Sequence, residues 1–298
     1  MQPVRLRIVR SDGKELDIDN ERWMMQSDAL ENWAELPHSV STQENAQYDG
    51  GIVTNNRIEV VDRSVTAEIR NPSENAKARA EAISFFNPKH TFAAHLTYMG
   101  RTRWCEGVQY AFKCDAGNIY QPCSFTWTLL SPMPFLLSED NFGQDIALVT
   151  PRFGFPYMST VDRQGSAQRF PHQKGFQCGT YNYGRSVNIN NDGDVETFPR
   201  VEIVAKGDVS NPMIVKDGTT FVRVVTDMVQ GDTLTIDLEN RPPKVLLNGK
   251  NATNLVDRAS SFSGMGFDMG ANSFSYDADI GENVMSVSLY YYKRYLGI

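Results

Sequence analysis

Along most of this chain apolar and polar residues alternate with a period of two, the spacing of strands that bury one face. Val4, Leu6 and Ile8 alternate with Arg5 and Arg7 until Asp12-Gly13 signals a turn. Ile58-Glu59-Val60-Val61 and Val65-Thr66-Ala67-Glu68-Ile69 read as two more short strands. Phe92, Ala94, Leu96 and Tyr98 point one way and Thr91, Ala93, His95 and Thr97 the other. Gly100 then turns the chain into a second arm carrying Trp104, Val108, Tyr110 and Phe112, which predicts a hairpin. Phe125, Trp127 and Leu129 supply a further strand. Later come Val201, Ile203 and Ala205; Phe221 to Val225; Leu234, Ile236 and Leu238; and Val245-Leu246-Leu247 running into the hairpin turn Asn248-Gly249. Phe274 and Tyr276 open another strand, and Met285, Val287, Leu289 and Tyr291 form the last.

One segment has the helical period instead. Ser73 is placed to cap it, Glu74 to favour the positive end of its dipole, and Asn87-Pro88 to stop it. The spacing predicts a helix over 74–86 with Ala76, Ala80, Ile83 and Phe86 as its apolar stripe, lying across a sheet and burying Ile83 and Phe86. Residues 20–50 are irregular but rich in large apolar groups, the pattern of a functional loop or an interaction arm. Ser131-Pro132-Met133-Pro134 breaks a strand, and the composition changes there. The expectation is a mainly β protein of two β-sandwich domains. Residues 1–133 form the first, with the single α-helix, and residues 134–298 the second; the stretch 140–185 resists assignment.

Charge and composition remove several function classes. The net charge of −7 is spread evenly: residues 1–133 carry 14 Lys+Arg and 17 Asp+Glu, residues 134–298 carry 15 and 19. Neither half has the concentrated positive charge that a phosphate backbone requires, so no direct nucleic-acid recognition is expected. No apolar run approaches the roughly 20 residues that span a bilayer. The start of the chain also lacks the pattern of a signal peptide, so synthesis and folding in a cytoplasm are expected. Cys105, Cys114, Cys123 and Cys178 form no C-x-x-C pair, and His38, His90, His95 and His172 stand without a second ligand at metal spacing. No nucleophile elbow or P-loop is present. No enzyme, cofactor or metal is expected.

Three local features could still carry chemistry. Asn188-Ile189-Asn190-Asn191-Asp192-Gly193 imitates the start of an EF-hand loop, but Pro199 stands where its twelfth-position glutamate belongs, and a turn between strands explains it. Asp277 and Asp279 could be offered as an acid/base pair, though a solvated loop before Gly281 accounts for them. Phe153, Phe155 and Tyr157, and Tyr290, Tyr291, Tyr292 and Tyr295, are aromatic clusters suited to stacking on sugar rings, or to core and subunit contact.

The order of these elements resembles siphophage distal tail proteins. Tyr48-Asp49-Gly50-Gly51, Arg57-Ile58-Glu59-Val60 and the helix ending Ile83-Ser84-Phe85-Phe86-Asn87-Pro88 carry the likeness. So do the hairpin His95 to Arg103 and the strand Phe125 to Leu129 running into Ser131-Pro132-Met133-Pro134-Phe135. In the second half, Gly231 to Asp237, Val245 to Lys250 and the ending Tyr291 to Gly297 are similar to the family's C-terminal module. The resemblance implies a ring-forming N-terminal domain followed by a galectin-like or carbohydrate-binding-module-like sandwich. It implies a homohexamer at the tail tip of the virion, with the tail tube protein, the tape-measure protein and a tail-associated hub protein as partners, and a receptor-binding protein in some members. It brings no catalytic residues. The rival reading is a lectin-like adhesion protein that grips host cell-surface glycans.

A ring of more than two subunits about one axis needs two different patches on each subunit. The candidate patches are the segment with Trp23, Met24, Met25 and Trp33, and the Gly100 hairpin with Arg101 and Arg103. On this reading residues 1–133 alone close the ring.

Overall fold

The computed structural model describes residues 4–18, 22–44, 49–115, 120–145, 148–151, 179–182 and 186–298. By contacts the chain divides into two units: Met1–Asp140 with Gly193–Val195 and Tyr292–Ile298, and Asn141–Asp192 with Glu196–Tyr291. The first unit does not end at the Pro132–Pro134 break, because the next strand still pairs inside it.

The first unit is built on an antiparallel sheet. In chain order its strands are β1 (Arg5–Arg10), β2 (Glu15–Ile18), β3 (Trp23–Glu31), β4 (His38–Glu44), β5 (Gly51–Ile58), β6 (Val61–Ile69), β7 (Thr91–Tyr98), β8 (Arg101–Cys114), β9 (Ser124–Ser131) and β10 (Leu136–Ser138). The main sheet runs β2-β1-β7-β8-β9-β6-β3, while β4 and β5, among the described residues, pair only with each other. β10 adds to β8 and also takes the short C-terminal strand Arg294–Tyr295, which is how the end of the chain comes to belong to this unit. Period-2 alternation is obeyed closely: Leu6 and Ile8, Val65, Ala67 and Ile69, Phe92, Ala94 and Leu96, and Phe125, Trp127 and Leu129 are all buried in one core. The β7–β8 turn places Met99 and Gly100 at positive φ, the two-residue hairpin geometry that glycine favours.

The helix α1 (Asn75–Phe85) lies on this core with the opposite face from the one the spacing suggested. Ala78, Ala82 and Phe85 are buried, together with Phe86 just past the end, whereas Ile83 is 45% exposed. Both stripes have helical spacing. The one that wins ends in Phe85 and Phe86 and otherwise carries only alanines, so the helix packs close and two phenyl rings reach the sheet. The cap also differs. Asn71, not Ser73, accepts from the Ser73 N–H and opens a 3-10 turn, Pro72–Glu74, ahead of the helix.

At the other end, β1 supplies what the helix lacks. Buried Arg10 donates to the Ser84 and Phe85 carbonyls at 2.9 and 2.8 Å, satisfying groups a helix C-terminus leaves open. Its guanidinium is gripped by Asp12 at 2.6 and 2.8 Å, and this contact holds the Asp12 carboxyl well below the usual carboxylate range. A carboxylate depressed in the folded state stabilises it above its unfolded value of about 4 and loses that contribution as the pH falls through the folded one. Thermal melts should therefore show Asp12→Asn less stable than the parent at pH 7. The gap should shrink as the pH drops below about 4, and a gap independent of pH would refute the ion pair.

The second unit is a sandwich of two antiparallel sheets. One runs Phe142–Asp145, Met285–Tyr291, Arg200–Ala205, Thr233–Asp237, Lys244–Leu247 and Lys250–Asn251; the other runs Ser186–Asn191, Gly270–Asp277, Met213–Lys216 and Thr220–Arg223. Val201, Ile203, Leu234, Ile236, Val287 and Leu289 of the first face Ile189, Ile214, Val222, Phe274 and Tyr276 of the second in a single core. Asn248 and Gly249 both take positive φ, as the hairpin turn between its strands requires.

Candidate assembly surface

The sequence features with the chemistry of a reactive site are engaged in structural bonds. Asp279 accepts hydrogen bonds from Asn211, at 2.7 Å, and from Arg223, and these hold its carboxyl below the ordinary range. The Asp277 carboxylate accepts from the neighbouring Ala278 N–H at 2.9 Å. In the Asn188–Glu196 segment, Asn188 to Asn191 are strand, buried Asn191 donates to the Phe267 carbonyl, and Asp194 accepts from the Leu296 N–H. Among the described residues no three His, Cys, Asp or Glu side chains converge as a metal site needs. His95 stacks on Trp104 at 5.7 Å, and burial followed by the charge of Arg7 lowers its pKa. It lines an open polar groove of about 260 Å³ with Arg5, Arg7, Glu15 and Asp17, charges of both signs on one sheet face.

The tyrosines at the chain end are also used internally. Tyr291 is buried edge-on to Phe267 at 4.9 Å, Tyr292 meets Trp104 at 5.4 Å, and Tyr295 lies under the Arg103 guanidinium. In the second unit a cleft of about 510 Å³ contains Phe198, Leu238, Arg241 and Phe262. Arg241 sits 5.2 Å over the Phe198 ring, a cation–π contact. Phe153, Phe155, Tyr157, His172 and Cys178 lie outside the described residues.

Of the residues singled out as subunit contacts, Trp23 and Trp33 are 1% and 4% exposed and belong to the core. Trp23 packs edge-on against Phe125 at 4.9 Å, and the Trp33 indole donates to the Ser64 carbonyl. Their apolar surface is consumed within the unit, so they present nothing to a second copy. Met24 and Met25 are half-buried on β3, the edge strand. Arg103 is turned inward onto Tyr295, and Arg101 remains exposed at the hairpin tip beside Met99, which is 71% exposed.

The unpartnered apolar surface lies elsewhere, on the β4–β5 hairpin. Among the described residues its seven-residue first strand and eight-residue second strand pair only with each other, and all their side chains but Ser39 are exposed. Val40, Ile52, Val53 and Ile58 are 49, 69, 59 and 37% exposed. The register sets Val40 opposite Asn56, Val53 opposite Thr42 and Ile58 opposite His38, which puts these three apolar groups on one face and Ile52 on the other. A bond from the Glu59 N–H to the Pro37 carbonyl closes the base, where the hairpin leaves the sheet between β3 and β6. An isolated two-stranded hairpin is at best marginally stable in water, and its edges offer unpaired backbone groups to another chain. Sequence periodicity does not reveal it, because Ser, Thr, Gln and Asn fill the positions between its apolar residues.

Residues 192–295 match the family described as Siphovirus-type tail component, C-terminal domain. The fold is similar to the crystal structure of the Dit (gp 19.1) protein of phage SPP1, described as a paradigm of hub adsorption apparatus in phages infecting Gram-positive hosts. The two share 12% identity at a TM-score of 0.64 over 97% of this chain and 98% of that one. It is also similar to chains of the phage P2 baseplate in its activated conformation, with Ca and with Sr. Those matches have TM-scores of 0.54 and 0.52, each at 12% identity and over 97% of this chain and 98% of the other. No curated protein matches the sequence.

Proposed function

We propose that this chain, whose residues 192–295 match the siphovirus-type tail component family, is a structural subunit of the phage tail tip and closes there into a ring. The observation that supports the ring is the β4–β5 hairpin, whose strands pair with no other strand among the described residues and which exposes Val40, Ile52, Val53 and Ile58. A second copy supplies the missing surface: the arm of one subunit lies on the body of the next, a head-to-tail contact between unlike patches that repeats around an axis. Six copies and a place at the end of the tail tube follow the resemblance to distal tail proteins. On the same reading the partners are the tail tube protein, the tape-measure protein and a tail-associated hub protein, with a receptor-binding protein carried further out. The role is scaffolding, with no reaction assigned to it.

The ring-closing body is the first unit as folded, not residues 1–133. Cutting after Ser131 removes Leu136, which is fully buried, and with it both β10 and the strand Arg294–Tyr295 that pair within that unit. The test therefore uses the full chain. Light scattering on the eluting protein at micromolar concentration should give six times the 33.5 kDa chain mass, and negative-stain images should show closed rings of uniform size. A monomer at all concentrations, with glycan binding on an array, would overturn the scaffold in favour of the lectin reading.

A further inference from the structure

Cys114 ends β8 and Cys123 immediately precedes β9, nine positions on, and their sulfurs lie 3.7 Å apart. The pairing explains the meeting. Cys114 is the cross-strand partner of Phe125, and in a strand Cys123 shares a face with Phe125 two residues later, so both thiols point to the core side. Cys123 is fully buried and Cys114 is half-buried, so one sulfur is reachable from solvent and the other waits behind it. Cys123 stands diagonal to Cys114, and the two side chains lean together until their sulfurs are in van der Waals contact, from which a change of rotamer and a small approach of the strand ends bring them to bonding distance.

We propose that Cys114 and Cys123 are a dithiol that closes to a disulfide when the protein meets an oxidising medium, locking the β8–β9 connection. The oxidant is a small-molecule disulfide. The Cys114 thiolate attacks one of its sulfurs, forming a mixed disulfide and releasing one small thiol. Cys123 then gives up its proton and attacks the Cys114 sulfur, releasing the second. Two protein thiols lose two electrons and two protons, and the small disulfide leaves as two thiols. Burial and the adjacent Cys123 push the Cys114 thiol up to about 12, so the thiolate is scarce at neutral pH and closure is slow. Cys105 stays out of this chemistry because it is buried elsewhere in the core.

The bond acts on the anchorage of α1. The Cys123 N–H donates to the Asn75 side chain at 2.9 Å, and that same amide donates to the Gln121 carbonyl, so the start of the helix hangs on this connection. A reduced pair is expected during synthesis in a host cytoplasm and an oxidised one after release. That timing rests on the tail-tip reading, whereas the bond itself does not.

The full chain, reduced and then held with excess glutathione disulfide at pH 8, should lose two hydrogens, and peptide mapping should find Cys114 joined to Cys123. Its melting temperature should rise by about 5 °C and fall back on reduction. Cys114→Ala, at the half-exposed position, should show no such rise. Persistent free thiols, a stable glutathione adduct on Cys114, or a cross-link to Cys178 would each overturn the pair. A Cys114–Cys123 bond that leaves the melting temperature unchanged would overturn the lock. Alkylation during lysis of producing cells, compared with released particles, reads the timing separately. The bond in purified protein but in neither of those samples would remove the timing and leave the chemistry standing.

Discussion

Replacing Ile52 and Val53 together by aspartate should turn the ring into monomers while leaving the fold intact. Both side chains are well over half exposed on the β4–β5 hairpin, so in the single chain the change exchanges two solvated apolar groups for two solvated charges. Surface substitutions of that kind move stability by about half a kcal/mol or less. In the proposed ring the same positions would meet a neighbour, and the register sets them on opposite faces of the ribbon. Truncating one buried anchor at an interface typically costs about 2 kcal/mol or more, and an unpaired buried carboxylate costs further desolvation. Two such sites weaken the contact by at least about a thousandfold, enough to empty a ring at micromolar concentration. Light scattering and a thermal melt on the same sample separate the two effects. Rings that persist would remove the hairpin from the contact. A melting temperature that collapses along with the rings would mean the hairpin has a partner in its own chain.

How far the chain could be read in advance depended on whether burial had written itself locally. Wherever one face of a strand enters a core, as at Leu6 and Ile8, Phe92 to Leu96, or Met285 to Tyr291, period-2 alternation marks it and the structure agrees. Asn248-Gly249 was equally legible, because a two-residue turn with positive φ at both positions leaves few residue choices. The segment with Trp23 and Trp33 misled for a physical reason. β3 slips register against β6 between Met25 and Leu30, so its apolar positions lose their alternation and read as an irregular sticky arm. The hairpin proposed as the arm, His38 to Ile58, is solvated on both faces and therefore carries no pattern of burial at all. Arg294–Tyr295 could not be placed from sequence either. A two-residue strand says nothing of which core it joins, and only its pairing with β10 reveals that the chain returns to its first unit. Proximity of Cys114 and Cys123 was hidden for the same reason: no spacing rule marks a cross-strand pair until the register is known.

Phe86→Ala should be the most damaging single truncation in the first unit, and Ile83→Ala among the mildest, although the helical period alone puts both on one stripe. Phe86 follows the last turn of α1, where its N–H still bonds to the Ala82 carbonyl. From there its ring reaches Phe112 at 5.0 Å, Phe125 and Trp127 at 5.2 Å and Phe92 at 6.1 Å, touching β7, β8 and β9 at once. Phe85 adds an edge-on contact at 5.1 Å on the other side. Few residues tie the helix to so many strands, and an alanine there leaves a void the rigid aromatic neighbours cannot fill. Such truncations cost about 3–5 kcal/mol. For a unit of this size that lowers the melting temperature by roughly 10 °C. Ile83, nearly half exposed, makes little of this packing, and its truncation should cost about half a kcal/mol or less. The comparison is made by chemical denaturation of both variants, following the tryptophans, three of which (Trp23, Trp33 and Trp127) report on this core. Equal losses for the two substitutions would mean that the helix is rotated to bury Ile83 and that Phe86 is not the link between helix and sheet.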